Sequence, residues 1–244
     1  MKQMTVVIPS YNNRQWYQQN LGSICAQEYD RFRAIYVDDG SSDQTGALVE
    51  QFLANHEVGN RIQLIRNPVR VGALQNLYTV IHACDDEEIV VIVDGDDWLA
   101  HNRVLQKINA VYSDPTCWMT YGQYVSWPDH APGYSRQIPP HITDTNTFRG
   151  YAWCASHLRS FYAWLFKRIN KEDLLSPCGK FYRMAWDQAM MFPMLEMSGH
   201  RAKFIREVLY IYNAANPLND SKVNRALQQH LEMIIRRQKR YDRL

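Results

Sequence analysis

Ile89-Val90-Val91-Ile92-Val93-Asp94-Gly95-Asp96-Asp97-Trp98 is the stretch from which the fold is read. Five β-branched apolar residues follow one another without alternation, the pattern of a strand covered on both faces. They end in three carboxylates within four positions, and that much negative charge beside a buried strand is costly unless a cation or hydrogen-bond donors meet it. Ligands of open α/β sheets collect outside the carboxyl ends of the strands. A carboxylate turn at that edge, kept tight by Gly95, is placed to hold a hard divalent cation against a phosphate. The alternative is an Asp-rich turn that caps the next helix.

Upstream, the same design repeats. Met4–Pro9 is a short apolar run that ends in the turn signal Pro9-Ser10-Tyr11-Asn12-Asn13, and a helix follows over 14–26. Arg33–Val37 is a second buried strand; it ends in Asp38-Asp39-Gly40-Ser41-Ser42-Asp43, with Asp43 or Thr45 capping a helix through Ala54. Ile62–Ile65 gives a third strand, then Arg66-Asn67-Pro68 and Arg70-Val71-Gly72, then a helix over 72–83 that leads into the Ile89 strand. Alternation of strand and helix at this spacing predicts an α/β fold: a mostly parallel, Rossmann-like central sheet flanked by helices, with right-handed crossovers. Three strands thereby deliver polar residues to one edge: Pro9–Asn12, Asp38–Ser42 and Asp94–Asp97. Amides and carboxylates there can bond a base and ribose while a metal takes the phosphates. For Ser41-Ser42-Asp43, an ordinary polar loop is an equal reading.

The bulk properties set limits. The chain has 244 residues, 46% hydrophobic and 21% charged, which fits a single domain with a full core. A net charge of +2 gives no argument for nucleic acid. No apolar run is long enough to span a bilayer, and the start, MKQMTVVIPS, shows no signal-peptide pattern. Five scattered cysteines without a CxxC pair argue against a disulfide framework or zinc site and for a reducing, cytoplasmic setting.

TVVIPSYN, YVDDGSSDQT, RNPVRVGALQN and IVVIVDGDDWL, in this order and spacing, resemble the successive signatures of family 2 glycosyltransferases with the A-type nucleotide-diphospho-sugar fold. The resemblance covers about the first hundred residues. It implies inverting transfer of a sugar from a nucleotide-diphospho-sugar donor, of UDP type, with Mn²⁺ or Mg²⁺ as cofactor. It further implies that Pro9, Tyr11 and Asn12 line the base pocket and that Asp39 meets the base or ribose. Asp94, beside Gly95, would contact the ribose, and Asp96 would be the main metal ligand, with Asp97 capping the following helix or supporting Asp96. Where the family often shows Ala-Arg-Asn, this chain has Leu74-Gln75-Asn76, and Arg70 is the candidate to replace that arginine's donor contact.

Downstream of Trp98 the pattern loosens, as expected of an acceptor-selecting half with mixed structure. A helix over 103–112 and a strand over 117–121 precede a long aperiodic segment, 123–148, in which Trp127, Tyr134 and nearby histidines either stack on sugar faces or pack a loop. His157 and Arg159 share a face if extended, where they can neutralise a leaving diphosphate; the alternative is a salt-bridged arginine beside a core histidine. Asp187 opens a Met-rich helix ending near Ser198. Inverting transfer needs a carboxylate to take the acceptor's proton, and in the resembling family an acid at such a helix start does so. Asp187 matches that place, against a simple first-turn acid; Glu172, Asp173 and Glu196 compete less well. The QxxRW string of processive synthases is absent, which implies single addition.

Two closing strands, 202–205 and 208–212, a polar loop over 213–220 able to fold over donor, and a long helix over 222–243 capped by Asp220 complete the reading. The helix carries an apolar stripe (Leu227, Leu231, Ile234, Ile235) and a basic end, which suit docking on its own domain, a homodimer, or peripheral contact with an anionic membrane. Functionally the chain divides into a nucleotide-sugar half (1–98), an acceptor and catalytic half (99–219) and the terminal helix (220–244). The partners expected are a nucleotide-diphospho-sugar donor and a carbohydrate or other hydroxyl acceptor. Competing readings are a nucleotidyltransferase, which would need a Gly-rich phosphate loop after the first strand, and a catalytically degenerate nucleotide- or carbohydrate-binding module.

Overall fold

The computed structural model describes residues 1–57 and 59–244, with Asp220 and Ser221 described by backbone alone. Strands β1 (Met4–Ser10), β2 (Phe32–Asp38), β3 (Ile62–Arg66) and β4 (Ile89–Ile92) alternate with helices α1 (Tyr17–Cys25), α2 (Thr45–Ala54) and α3 (Ala73–His82). They pair in parallel in the order β3-β2-β1-β4, as the βαβ spacing predicts. The uninterrupted apolar runs have a plain cause. Val7, Ile35, Val90 and Ile92 enter the core on one sheet face; Val6, Ile8, Ala34, Ile89 and Val91 enter a second core on the other. Period-two alternation therefore divides residues between two cores rather than between core and water.

Beyond the carboxylate turn the sheet changes character. β5 (Trp98–Leu99) and α4 (Val104–Val111) are followed by β6 (Met119–Trp127), α5 (Pro140–Asp144), β7 (Arg159–Tyr162), α6 (Ala163–Lys167), α7 (Trp186–Ser198) and β8 (Ala202–Asn213). β7 inserts antiparallel between β4 and β6, and the completed order is β3-β2-β1-β4-β7-β6-β8-β5. Two registers build the site. Ile92 pairs with Arg159, which sets the approach to β7 beside the start of the Asp94 turn. Trp98 pairs with Ile211, which sets the end of β8 beside its finish.

Several local expectations need correction. A strand, β5, follows the carboxylate turn, so Asp97 caps no helix. β6 runs on to Trp127, through what reads as structureless chain, because pairing with β8 carries it. The two closing strands are one, β8; register shifts at Gly122/Gln123 and Gln123/Tyr124 disturb the apolar pattern that suggested a break. The terminal helix is divided into α8 (Asp220–Val223) and α9 (Arg225–Arg237), with Asn224 accepting a hydrogen bond from the Leu227 N–H at 3.0 Å. The capping role expected of the Asp220 side chain lies outside the described residues.

α7 shows no amphipathic stripe because it is buried from Gln188 to Ser198. Its Glu196 pairs with the buried Arg149 at 2.6 Å and also accepts the Tyr241 N–H, so this acid is committed to structure. α9 docks on the same chain: Ile235 is buried, Arg236 donates to the carbonyls of Arg149 and Tyr151, and Arg240 to that of Asn146. All five cysteines are free thiols. Among the described residues no helix is long and apolar enough to cross a membrane.

Candidate active site

The carboxyl ends of β1 and β4, the approach to β7, the start of α7 and the segment after β8 enclose a cavity of about 500 Å³. Pro9, Tyr11, Arg70, Asp94, Asp96, His157, Arg159 and Asp187 all line it, so one opening collects residues from both halves of the sheet. Arg70 lies over the Tyr11 ring, its guanidinium carbon 3.8 Å from the centroid, a cation–π contact that fixes both on the wall.

Three expected site residues are placed behind the wall. Asn12, in a left-handed conformation (φ 54°), accepts from the Ser42 N–H and donates its own N–H to Ser41 Oγ, both at 2.9 Å. It ties two loops together; Asn13 lines the cavity, with its buried Oδ1 unpartnered among the described residues. Asp39 is 3% exposed and accepts from the N–H groups of Val71 (2.9 Å) and Gly72 (2.8 Å) and from the Asn67 amide (2.8 Å). Burial alone would raise its pKa, but these bonds outweigh it and hold the carboxyl below the usual aspartate value. Asp39 thus anchors the loop that carries Arg70. Gly95 is buried, and a Cβ there would lie 2.5 Å from Ser10 Cβ, so the turn packs against β1 only as glycine.

The carboxylate turn is unequal. Asp97 is buried and accepts from Tyr210 Oη and the Asn213 N–H, each at 2.7 Å. Burial first, then the charges of Asp96 and Asp94, push its pKa well up. Asp96 accepts from the Asn216 amide at 2.7 Å, and burial raises its pKa. His157 stacks on Tyr210 with centroids 4.4 Å apart; burial, then the nearby Arg159 charge, depresses its pKa, which keeps the imidazole neutral. Its buried Nδ1 has no hydrogen-bond partner among the described residues. Ligand-type atoms of Asp94, Asp97 and His157 lie within 4.8 Å of one another, a group that fits a divalent cation; Asp96, the expected main ligand, is outside this group.

Opposite the turn, Asp187 occupies the first turn of α7. Arg159 Nη2 donates to Asp187 Oδ2 at 3.1 Å, and its guanidinium carbon lies 5.6 Å from the Trp186 ring centroid. Tyr124, Tyr212, Asn216 and Gln228 also line the cavity and were not found from sequence. The alternation of Tyr210-Ile211-Tyr212 marks a strand, but nothing in it says which face meets the site. Trp127 packs against Trp16 and Trp98, whereas Tyr134 reaches the cavity.

A parallel half joined edge to edge with a mixed half, over a cavity lined by strand-end carboxylates, is the architecture of the A-type fold. The chain belongs to glycosyl transferase family 2, whose family model matches residues 5–175. It is 31% identical over 101 residues to the glycosyltransferase GlyG of Streptococcus pneumoniae, a match covering 41% of this chain and 32% of GlyG. Its fold matches S. aureus TarS 1-349 in complex with UDP-GlcNAc (TM-score 0.65, 16% identity, 88% of this chain and 59% of that one). It also matches the mannosyltransferase PcManGT of Pyrobaculum calidifontis in complex with GDP-Man and Mn²⁺ (TM-score 0.64, 20% identity, 98% and 66%). The match to GlyG thus spans about a third of that relative's length.

Proposed function

We propose that the chain transfers a single sugar from a nucleotide-diphospho-sugar, of UDP type, to an acceptor hydroxyl with inversion at the anomeric carbon. The observation that carries this reading is the position of Asp187: it faces the same cavity as Asp94 and Asp96, from the opposite half of the sheet. Donor complexes of the two structural neighbours, one with UDP-GlcNAc and one with GDP-Man, support a nucleotide-sugar ligand.

In this reading Pro9, Tyr11 and Arg70 hold the nucleoside side of the donor, and Asp94 meets the ribose. Asp96, or the Asp94, Asp97 and His157 group beside it, would hold Mn²⁺ or Mg²⁺, which when bound offsets charge on the diphosphate. Asp187 accepts the proton of the acceptor hydroxyl as its oxygen bonds to the anomeric carbon; the bond from that carbon to the diphosphate oxygen breaks, and the electron pair leaves with the nucleoside diphosphate. Residues 1–98 thus bind donor and 99–219 receive acceptor within one domain in the cytoplasm, with the 213–219 segment over the donor.

A thermal-shift panel of UDP, GDP and their sugars, each with Mn²⁺, Mg²⁺ or EDTA, tests the donor reading, because a ligand bound only by the native chain raises its melting temperature. A metal-dependent shift with one nucleotide diphosphate is expected. Absence of any shift would turn the reading toward a degenerate module. Asp96→Ala should remove the metal dependence; if it survives there and disappears in His157→Ala, the ligands are the Asp94, Asp97 and His157 group. Asp187→Asn should lower transfer by about a thousandfold while nucleotide still binds.

A further inference from the structure

Arg159 is 3% exposed, and its ion pair with Asp187, at 3.1 Å, is made on the cavity wall. A buried guanidinium presents five N–H donors and is stable only when they are met. Here Nη2 meets one carboxylate oxygen, while the buried Nε meets no acceptor among the described residues. Asp187 is the more exposed partner, its side chain 22% accessible at the start of α7. Asp94, on the carboxylate turn, adds to the negative field around Arg159 and lines the same cavity.

We propose that Arg159 is a donor-sensing positioning residue: without nucleotide it latches Asp187, and the donor's diphosphate draws the guanidinium away and frees that carboxylate for the acceptor. This rests on the donor-site reading above. The chemistry favours the exchange. A diphosphate offers several charged oxygens in the fork geometry that arginine binds best, against one oxygen from Asp187. A carboxylate oxygen already accepting from a guanidinium is not turned to an acceptor hydroxyl. The latch therefore keeps Asp187 idle until the leaving group is seated, which makes donor binding a condition for proton acceptance rather than only a condition for collision.

The coupling is read in binding, with the full chain, Mn²⁺ and UDP or GDP, whichever raises the wild-type melting temperature. Because Asp187 and the diphosphate compete for Arg159, Asp187→Asn should bind the nucleotide tighter, by about three- to tenfold. Arg159→Gln should bind it weaker, and in the double variant the gain from Asp187→Asn should vanish. Binding of the parent nucleoside, which lacks the diphosphate, should not respond to Asp187→Asn. If the gain persists without Arg159, removal of a nearby negative charge explains it and the latch is overturned; unchanged or weaker binding in Asp187→Asn overturns it as well. Should Arg159→Gln not fold, Arg159→Lys, which keeps the charge but loses the fork, should shrink the gain. A wild-type chain that binds no nucleotide overturns the donor site itself, and the latch with it.

Discussion

Two carboxylate turns flank β1, and their sequences are close to interchangeable: Val37-Asp38-Asp39-Gly40 at the end of β2 and Val93-Asp94-Gly95-Asp96 at the end of β4. Their fates differ. The 67–72 loop crosses the end of β2 and gives Asp39 two backbone N–H groups and an amide, so its charge is neutralised within the chain. Over β4 the end of β8 and the segment after it give Asp96 the Asn216 amide and Asp97 the Asn213 N–H, while His157 and Arg159 approach the turn from β7. Asp94, Asp96 and Asp97 still line the cavity. What makes a strand-end carboxylate available to a ligand is therefore the path of a neighbouring loop, not the acidic string itself.

The sharpest break between the turns is expected in activity. Asp94→Asn should reduce transfer by about a hundredfold or more, yet lower the melting temperature by less than Asp39→Ala does, since the repulsion it relieves at Asp97 offsets the attraction it loses to Arg159. A drop as large as that one would instead place Asp94 with the structural carboxylates. Asp39→Ala should do the reverse: urea unfolding should show a loss of about 2–4 kcal/mol, because three donors are left without an acceptor. Loss of activity with full stability in that variant would dissolve the contrast. The smallest effect is in pH. The folded pKa of Asp39 is depressed, so its contribution is complete above the unfolded value and is lost as pH falls through the folded one. The stability gap between the wild type and Asp39→Asn should thus be constant near neutrality and close below about pH 4. A gap that widens in acid would contradict the assigned direction.

The parallel half was legible because it is made of local signals. Apolar runs, turn residues and βαβ spacing each lie within a short window, and all four strands follow from them. The Trp186–Ser198 helix was legible from its length and its first-turn acid. The other half was not: β6 gains six residues past Tyr121 by pairing with β8, more than 80 positions away in sequence, and no window contains both. The same holds for the site. Tyr11, Asp94, Asp96 and Asp187 stand at strand and helix ends, Arg70 came from the family resemblance and Asn216 lies in the loop expected over the site, whereas Tyr124 and Gln228 enter because distant elements close over the cavity.

By itself, then, the sequence determined a parallel sheet with carboxylates at its edge and an acid at the start of a later helix, since periodicity and turn chemistry are properties of neighbouring residues. Only the tertiary structure decided which carboxylates line the cavity, that Asn13 replaces Asn12 on the wall, and that Arg159 is joined to Asp187. Those outcomes depend on donors and acceptors brought together across the sheet, and hydrogen bonds and charges act through distance in space rather than along the chain.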